Sequence, residues 1–289
     1  CAEHLNAALT MQKELLGTDA IEIAPTLLAH ARLAQLRGSL DDAERYFNDS
    51  LEIYRRHNQE RTSAAASVMS ELAGLHSYRN EYERAATLYR TALDIDRQAL
   101  GNDHPNVGMH VQNLAVALQE QGKLDQAAPL FAESLQILDK VLGQTHPLTL
   151  DATANYGRFL HRQGDLVKAE QVLTRVVELD RQARGEHHPF VGHDLVNLGL
   201  LHVDAGKPSQ GEQDFRAATR AEREFAAALR VALRCHQPDR AVASHRRRGR
   251  DSARLIHRKP RERDVAALRD DLAHELVRIG DRRVRGRVT

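Results

Sequence analysis

Few residues of this 289-residue chain stand where chemistry could be done. Gly206-Lys207-Pro208-Ser209 carries the lysine of a phosphate-cradling loop. It lacks the glycine five residues earlier, and proline stands where Ser or Thr would hold magnesium. His274-Glu275 could open a zinc-binding helix, but Leu276-Val277-Arg278 follows and the second histidine is missing. His187, His188 and His193 offer imidazoles for a metal, yet no cysteine or carboxylate cluster completes a set of ligands. Asp41-Asp42 would be a carboxylate pair, but it falls at a helix start, where the macrodipole already favours acids. GxSxG and GxGxxG are both absent. The expectation is a protein that is not an enzyme and needs no cofactor and no metal.

One polar pattern remains. Asn113, Asn155 and Asn197 recur every 42 residues, each one residue before an apolar Leu114, Tyr156 or Leu198. A carboxamide both donates and accepts, so three in a row could hold the backbone of an extended peptide. The same side chains could instead tie each unit to the next. Arg158 and Arg162 follow Asn155 by three and seven residues, on or near the same helical face. A guanidinium there could meet an acidic side chain or a terminal carboxylate through two parallel bonds. His161 and Gln119 share a further register at the edge of that face.

What positions these residues is a repeat. His-Pro occurs at 104–105, 146–147 and 188–189, and a turn residue recurs at Gly38, Asn80, Gly122, Gly164 and Gly206, all with the period of 42. Each unit reads as two helices, in one copy Asn106–Gln121 and about Leu124–Leu142. Gly122 can end the first, and proline can open the next unit because its missing N–H costs nothing there. Small residues fall at one register of the first helix (Ala31, Ala73, Ala115, Gly157, Gly199) and one of the second (Ala43, Ala85, Ala127, Ala169, Gly211). A bulky residue follows in the next layer: Phe47, Tyr89, Phe131, Leu173, Phe215. A lone hairpin cannot bury its apolar face, so neighbours must stack. An all-α solenoid of stacked helix–turn–helix units over residues 1–229 is predicted.

The small–small–bulky pattern resembles the tetratricopeptide repeat. The 42-residue period, Leu100-Gly101-Asn102-Asp103-His104-Pro105-Asn106-Val107, Gln112-Asn113-Leu114-Ala115 and Gln121-Gly122-Lys123-Leu124 are similar to the kinesin light chain-like subtype, bacterial type. The resemblance implies a right-handed superhelix and a scaffold or adaptor that binds protein or peptide segments in its concave groove, with Asn113, Asn155 and Asn197 as backbone clamps. Early copies depart from the pattern: Thr62-Ser63 replaces His-Pro, and Ala29 and Glu71 replace the asparagine. In register Cys1 falls inside a second helix, so the chain reads as starting mid-repeat, as a fragment would. An alternative follows, namely the sensor or regulatory region of a larger signalling enzyme, a kinase or NTPase, whose catalytic domain lies upstream.

Composition agrees with helices. Trp is absent and only twelve residues are Phe or Tyr, too few for an all-β sandwich. Two cysteines, Cys1 and Cys235, cannot make a disulfide scaffold, which with no signal segment points to the cytoplasm. No apolar run reaches the ~18 residues of a membrane span. Residues 1–229 carry 23 basic and 32 acidic side chains, net −9, whereas 230–289 carry 18 and 8, net +10. That tail, with Arg246-Arg247-Arg248 and Arg258-Lys259, shows no sustained periodicity before one helix candidate at 264–280, so a mostly irregular, poorly ordered segment is expected. Without an aromatic residue to stack on bases, nucleic acid is not the expected partner. Oligomeric state is not encoded in any of these patterns.

Overall fold

A computed structural model of the chain describes residues 2–235. Among these residues there are eleven helices and no strand. In order they are α1 (Ala2–Leu16), α2 (Ile23–Leu36), α3 (Leu40–Arg56), α4 (Ser63–Tyr78), α5 (Tyr82–Leu100), α6 (Pro105–Glu120), α7 (Leu124–Leu142), α8 (Pro147–Gln163), α9 (Leu166–Arg184), α10 (Pro189–Asp204) and α11 (Pro208–Cys235). The even helices α2 to α10 are the first helices of five hairpins, and the odd ones from α3 are the second. Each hairpin packs on the next, giving an all-α solenoid. The helix candidate at 264–280 lies outside the described residues. No described helix is long and apolar enough to cross a membrane.

The helix ends follow from local chemistry. Proline occupies the first turn of α6, α8 and α10, one residue ahead of the start expected at Asn106. The histidine before each proline is the N-cap. His104, His146 and His188 accept the backbone N–H of Asn106, Leu148 and Phe190 at Nδ1, at 3.2, 3.2 and 3.3 Å. These histidines are thus spent on backbone donors that a helix start leaves unpaired. Thr62 does the same for α4, its hydroxyl accepting Ala65 N–H at 3.3 Å. The turn inside each hairpin needs a left-handed residue. Gly122 has φ +76°, and in the copy without glycine Asn80 takes φ +61°.

The core lies where the two helices of a hairpin cross. Ala31, Ala73 and Ala115 are fully buried, as are Ala43, Ala85, Ala127 and Ala169 on the second helices. Phe47, Phe131 and Leu173 fill the next layer and are essentially inaccessible. Burying such a side chain stabilises by about 1.5–3 kcal/mol. In the last hairpin both contact positions are glycine. A Cβ on Gly211 would lie 2.8 Å from the Gly199 carbonyl oxygen, and one on Gly199 would lie 2.7 Å from Phe215 Cε1.

Between hairpins the packing is more varied. At two of these junctions a residue of one helix meets the residue 14 positions later in the next, as Gln12–Thr26 and Asp96–His110. Thr26 donates to Gln12 at 2.7 Å. His110 Nε2 lies 3.0 Å from Asp96 Oδ2, and both residues are buried. Burial, only partly opposed by Asp96, holds the His110 imidazole below its ordinary value.

Two outcomes are expected. Gly211→Ala lowers stability by about 1–3 kcal/mol in urea melts, because the added methyl meets the fixed Gly199 carbonyl oxygen as well as Val203 Cγ2. His110→Ala leaves Asp96 without its donor and costs about 3–5 kcal/mol. Because folded His110 binds a proton less readily than the unfolded chain, its stabilisation is full above about pH 6.5 and is lost as pH falls. Melts at pH 7.5 and 5.5 check this slope, which His110→Ala should flatten.

Candidate functional site

The first helices pack side by side, α6 on α8 and α8 on α10, and form the inner wall. Their outward turns carry the polar register. Asn113 and Asn155 are half-buried, whereas Asn197 is buried at 9% exposure. Asn155 Oδ1 accepts from Arg158 at 3.3 Å, and Asn197 Nδ2 lies 3.4 Å from His193 Nδ1. Asn113 hydrogen-bonds to none of the described residues. Both contacts stay within one helix, so no asparagine of the three hydrogen-bonds from one hairpin to another among the described residues.

Charged pairs make those ties instead. Arg32 Nε reaches both carboxylate oxygens of Glu71, at 3.0 and 2.9 Å, from α2 to α4. Thus the acid that replaces asparagine at 71 is held by the arginine of the preceding hairpin. Arg162 on α8 pairs with Glu120 on α6 and His161 with Asp204 on α10, the latter at 2.9 Å. Partial burial would push the Glu120 carboxyl up, but hydrogen bonds from Arg162 and Gln119 outweigh it and hold the group below its ordinary value. Arg162 is therefore an internal strut, whereas Arg158 is exposed and bonds within its own helix. Gln121, at the end of α6, adds a further tie by donating to the Tyr82 carbonyl at 2.8 Å.

The wall changes character along its length. At one register Leu36 and Tyr78 are exposed apolar residues, whereas Glu120, Arg162 and Asp204 follow in the later hairpins. On α10, Leu200 is 50% and Val203 44% exposed, beside half-buried Val196. In sequence Arg162 reads as a ligand contact and nothing singles out Glu120. Leu200 and Val203 gave no signal, because an apolar residue on an amphipathic helix reads as core.

The other candidates resolve into structural roles. Lys207 Nζ is 2.7 and 2.8 Å from the Glu170 oxygens and sits in the α10–α11 turn. His187 pairs with Glu224 at 3.0 Å, and His188 caps α10. No group of three His, Cys, Asp or Glu able to hold a metal ion occurs among the described residues. Asp41 and Glu44 take Arg79 of the next hairpin, and Asp42 pairs with Arg45 at 2.8 Å.

A stack of two-helix units whose first helices lie side by side defines a helical-repeat scaffold. The tetratricopeptide repeat matches residues 1–56, 64–140, 108–181 and 148–224, so the chain belongs to that family. Among solved structures, BtubC (BKLC) from P. vanneervenii is similar at 19% identity, over 90% of this chain and 96% of that one, with a TM-score of 0.63. The nearly identical repeats of a Podospora anserina putative kinesin light chain align at 18% identity over 71% and 98%, TM-score 0.59. The apo form of RapI aligns at 13% identity over 78% and 92%, TM-score 0.58. No curated protein matches the sequence.

If Arg162 is a strut, Arg162→Ala should lower stability by no more than about 1 kcal/mol, since the pair is partly exposed. Urea melts of Arg162→Ala, Glu120→Ala and the double variant measure the coupling, which high salt should weaken.

Proposed function

We propose that this chain is a protein-interaction scaffold whose inner wall holds an extended or helical peptide segment. Asn113, Asn155 and Asn197 bond the peptide backbone, and Leu200 and Val203 receive an apolar side chain. Arg158 meets an acidic side chain or a chain-terminal carboxylate. The observation that supports this most is that three carboxamides at one register of successive first helices are not used to join hairpins. Arg158 and Asn197 stand in the same registers, 39 residues apart, as Arg32 and Glu71. A peptide carboxylate near Arg158 would repeat the contact that Glu71 makes with Arg32. A preformed wall keeps the ordering cost on the peptide side.

The test replaces all three asparagines by alanine and measures binding to peptides selected from a displayed library, beside a thermal melt. A backbone hydrogen bond contributes about 1 kcal/mol net, so three removed should weaken binding roughly 100-fold with melting unchanged. Unchanged binding with a lowered melting temperature would assign the asparagines to folding. Arg158→Ala should weaken peptides carrying Asp, Glu or a free carboxyl terminus, and leave neutral amidated ones unaffected.

A further inference from the structure

The second helices before α11 are each covered by the first helix of the next hairpin: α3 by α4, α5 by α6, α7 by α8 and α9 by α10. At one such contact the Phe131 ring of α7 lies 4.8 Å from that of Phe159 on α8, centre to centre. No described helix follows α11. Phe215 holds the register of Phe131 there but is only half-buried, whereas Phe47, Phe131 and Leu173 are at most 1% exposed. One turn on, Thr219 is exposed where Leu93 and Val177 are buried. Its hydroxyl donates to the Phe215 carbonyl of its own helix at 2.9 Å. The result is an open groove of about 680 Å³ along α11, from Glu212 to Glu224, with Phe215 and Thr219 in its lining.

Arginines border this groove. Arg216, Arg220 and Arg223 follow one another by four and three residues and so share one side of the helix. At the register of Arg220 the helices α3, α5, α7 and α9 carry Glu52, Asp94, Gln136 and Glu178, none of them basic. Arg223 shares its register with Arg97 of α5, whose guanidinium pairs with Glu133 of the next hairpin. The local acids are otherwise engaged. Glu212 holds Arg216 at 2.6 Å, Glu224 pairs with His187 at 3.0 Å, and Glu222 lies against Gly192 of α10. Arg220 and Arg223 are exposed and meet no acid among the described residues. The face thus keeps the aromatic knob of a helix–helix contact and surrounds it with positive charge.

We propose that the α11 groove is a second interaction surface, which takes an acidic amphipathic helix from a partner protein. The shape follows from the repeat, since a helix fills the corresponding face of α3, α5, α7 and α9. The chemistry follows from the substitutions. An apolar side of the partner helix seats on Phe215, and carboxylates along its edge meet Arg220 and Arg223 as Glu133 meets Arg97. The groove is built by α11 alone, apart from Asn113, Asn155 and Asn197, and it stands whether or not the inner wall binds peptide.

The test uses the full chain and a labelled helical peptide of 16 residues, the length of α10, with leucine on one face and glutamate along the edge. A second peptide replaces every glutamate by glutamine. Fluorescence anisotropy should show the glutamate peptide binding about tenfold more tightly, with the difference shrinking at high salt. Arg220→Gln combined with Arg223→Gln should erase that preference and leave the melting temperature and the glutamine peptide unaffected. Replacing the three inner-wall asparagines by alanine should leave the preference in place, which separates this surface from the inner wall. Equal binding of the two peptides, a preference kept in the arginine variant, or one lost in the asparagine variant would overturn the proposal. So would absence of binding, and sedimentation of the full chain then tells whether a second copy or the chain itself occupies the face.

Discussion

Two helices of a hairpin can cross closely only where neither presents a side chain larger than a methyl group. Everything else in this solenoid hangs on that steric condition. Buried alanines at Ala31 and Ala43, or Ala115 and Ala127, bring the backbones together, and Phe47 or Phe131 closes the gap one layer on. In α10–α11 both contact positions are glycine, a Cβ on Gly211 meeting the Gly199 carbonyl and one on Gly199 the Phe215 ring. With the hairpin geometry fixed, each unit presents the same apolar side to the next, and the stack propagates.

Within that frame the repeated polar residues divide into two kinds. His104, His146 and His188 look like candidates for chemistry but cap helices, satisfying donors that proline leaves at the first turn. The asparagines have no such structural employment between hairpins. Charge pairs perform that task on the inner wall, from Arg32–Glu71 to His161–Asp204. This separation leaves Asn113, Asn155 and Asn197 as an ordered row of donors and acceptors on a wall that also bares Leu200 and Val203.

The junctions between hairpins are where copies differ most. Because that register is buried, each chemical choice has a consequence: the uncharged Gln12–Thr26 pair is indifferent to pH, whereas the Asp96–His110 pair resists acid poorly. A repeat array can thus keep one backbone architecture while its joints respond differently to the same solvent.

The period of 42 determined by itself the helical hairpins, their order, their turns and the faces that pack, because each depends on local spacing and side-chain size. The α7 limits, Leu124–Leu142, coincide with those expected from the apolar pattern and the flanking glycines. The asparagine register was equally legible, since identity at one position in successive copies needs no coordinates. Tertiary structure alone decided which charges meet. Arg162 reads in sequence as a ligand contact, and only the distance between α6 and α8 commits it to Glu120. It alone also turned Leu200 and Val203 outward and brought Asp96 to His110, because the contact between separate helices depends on how they rotate and tilt, which no spacing along one helix records.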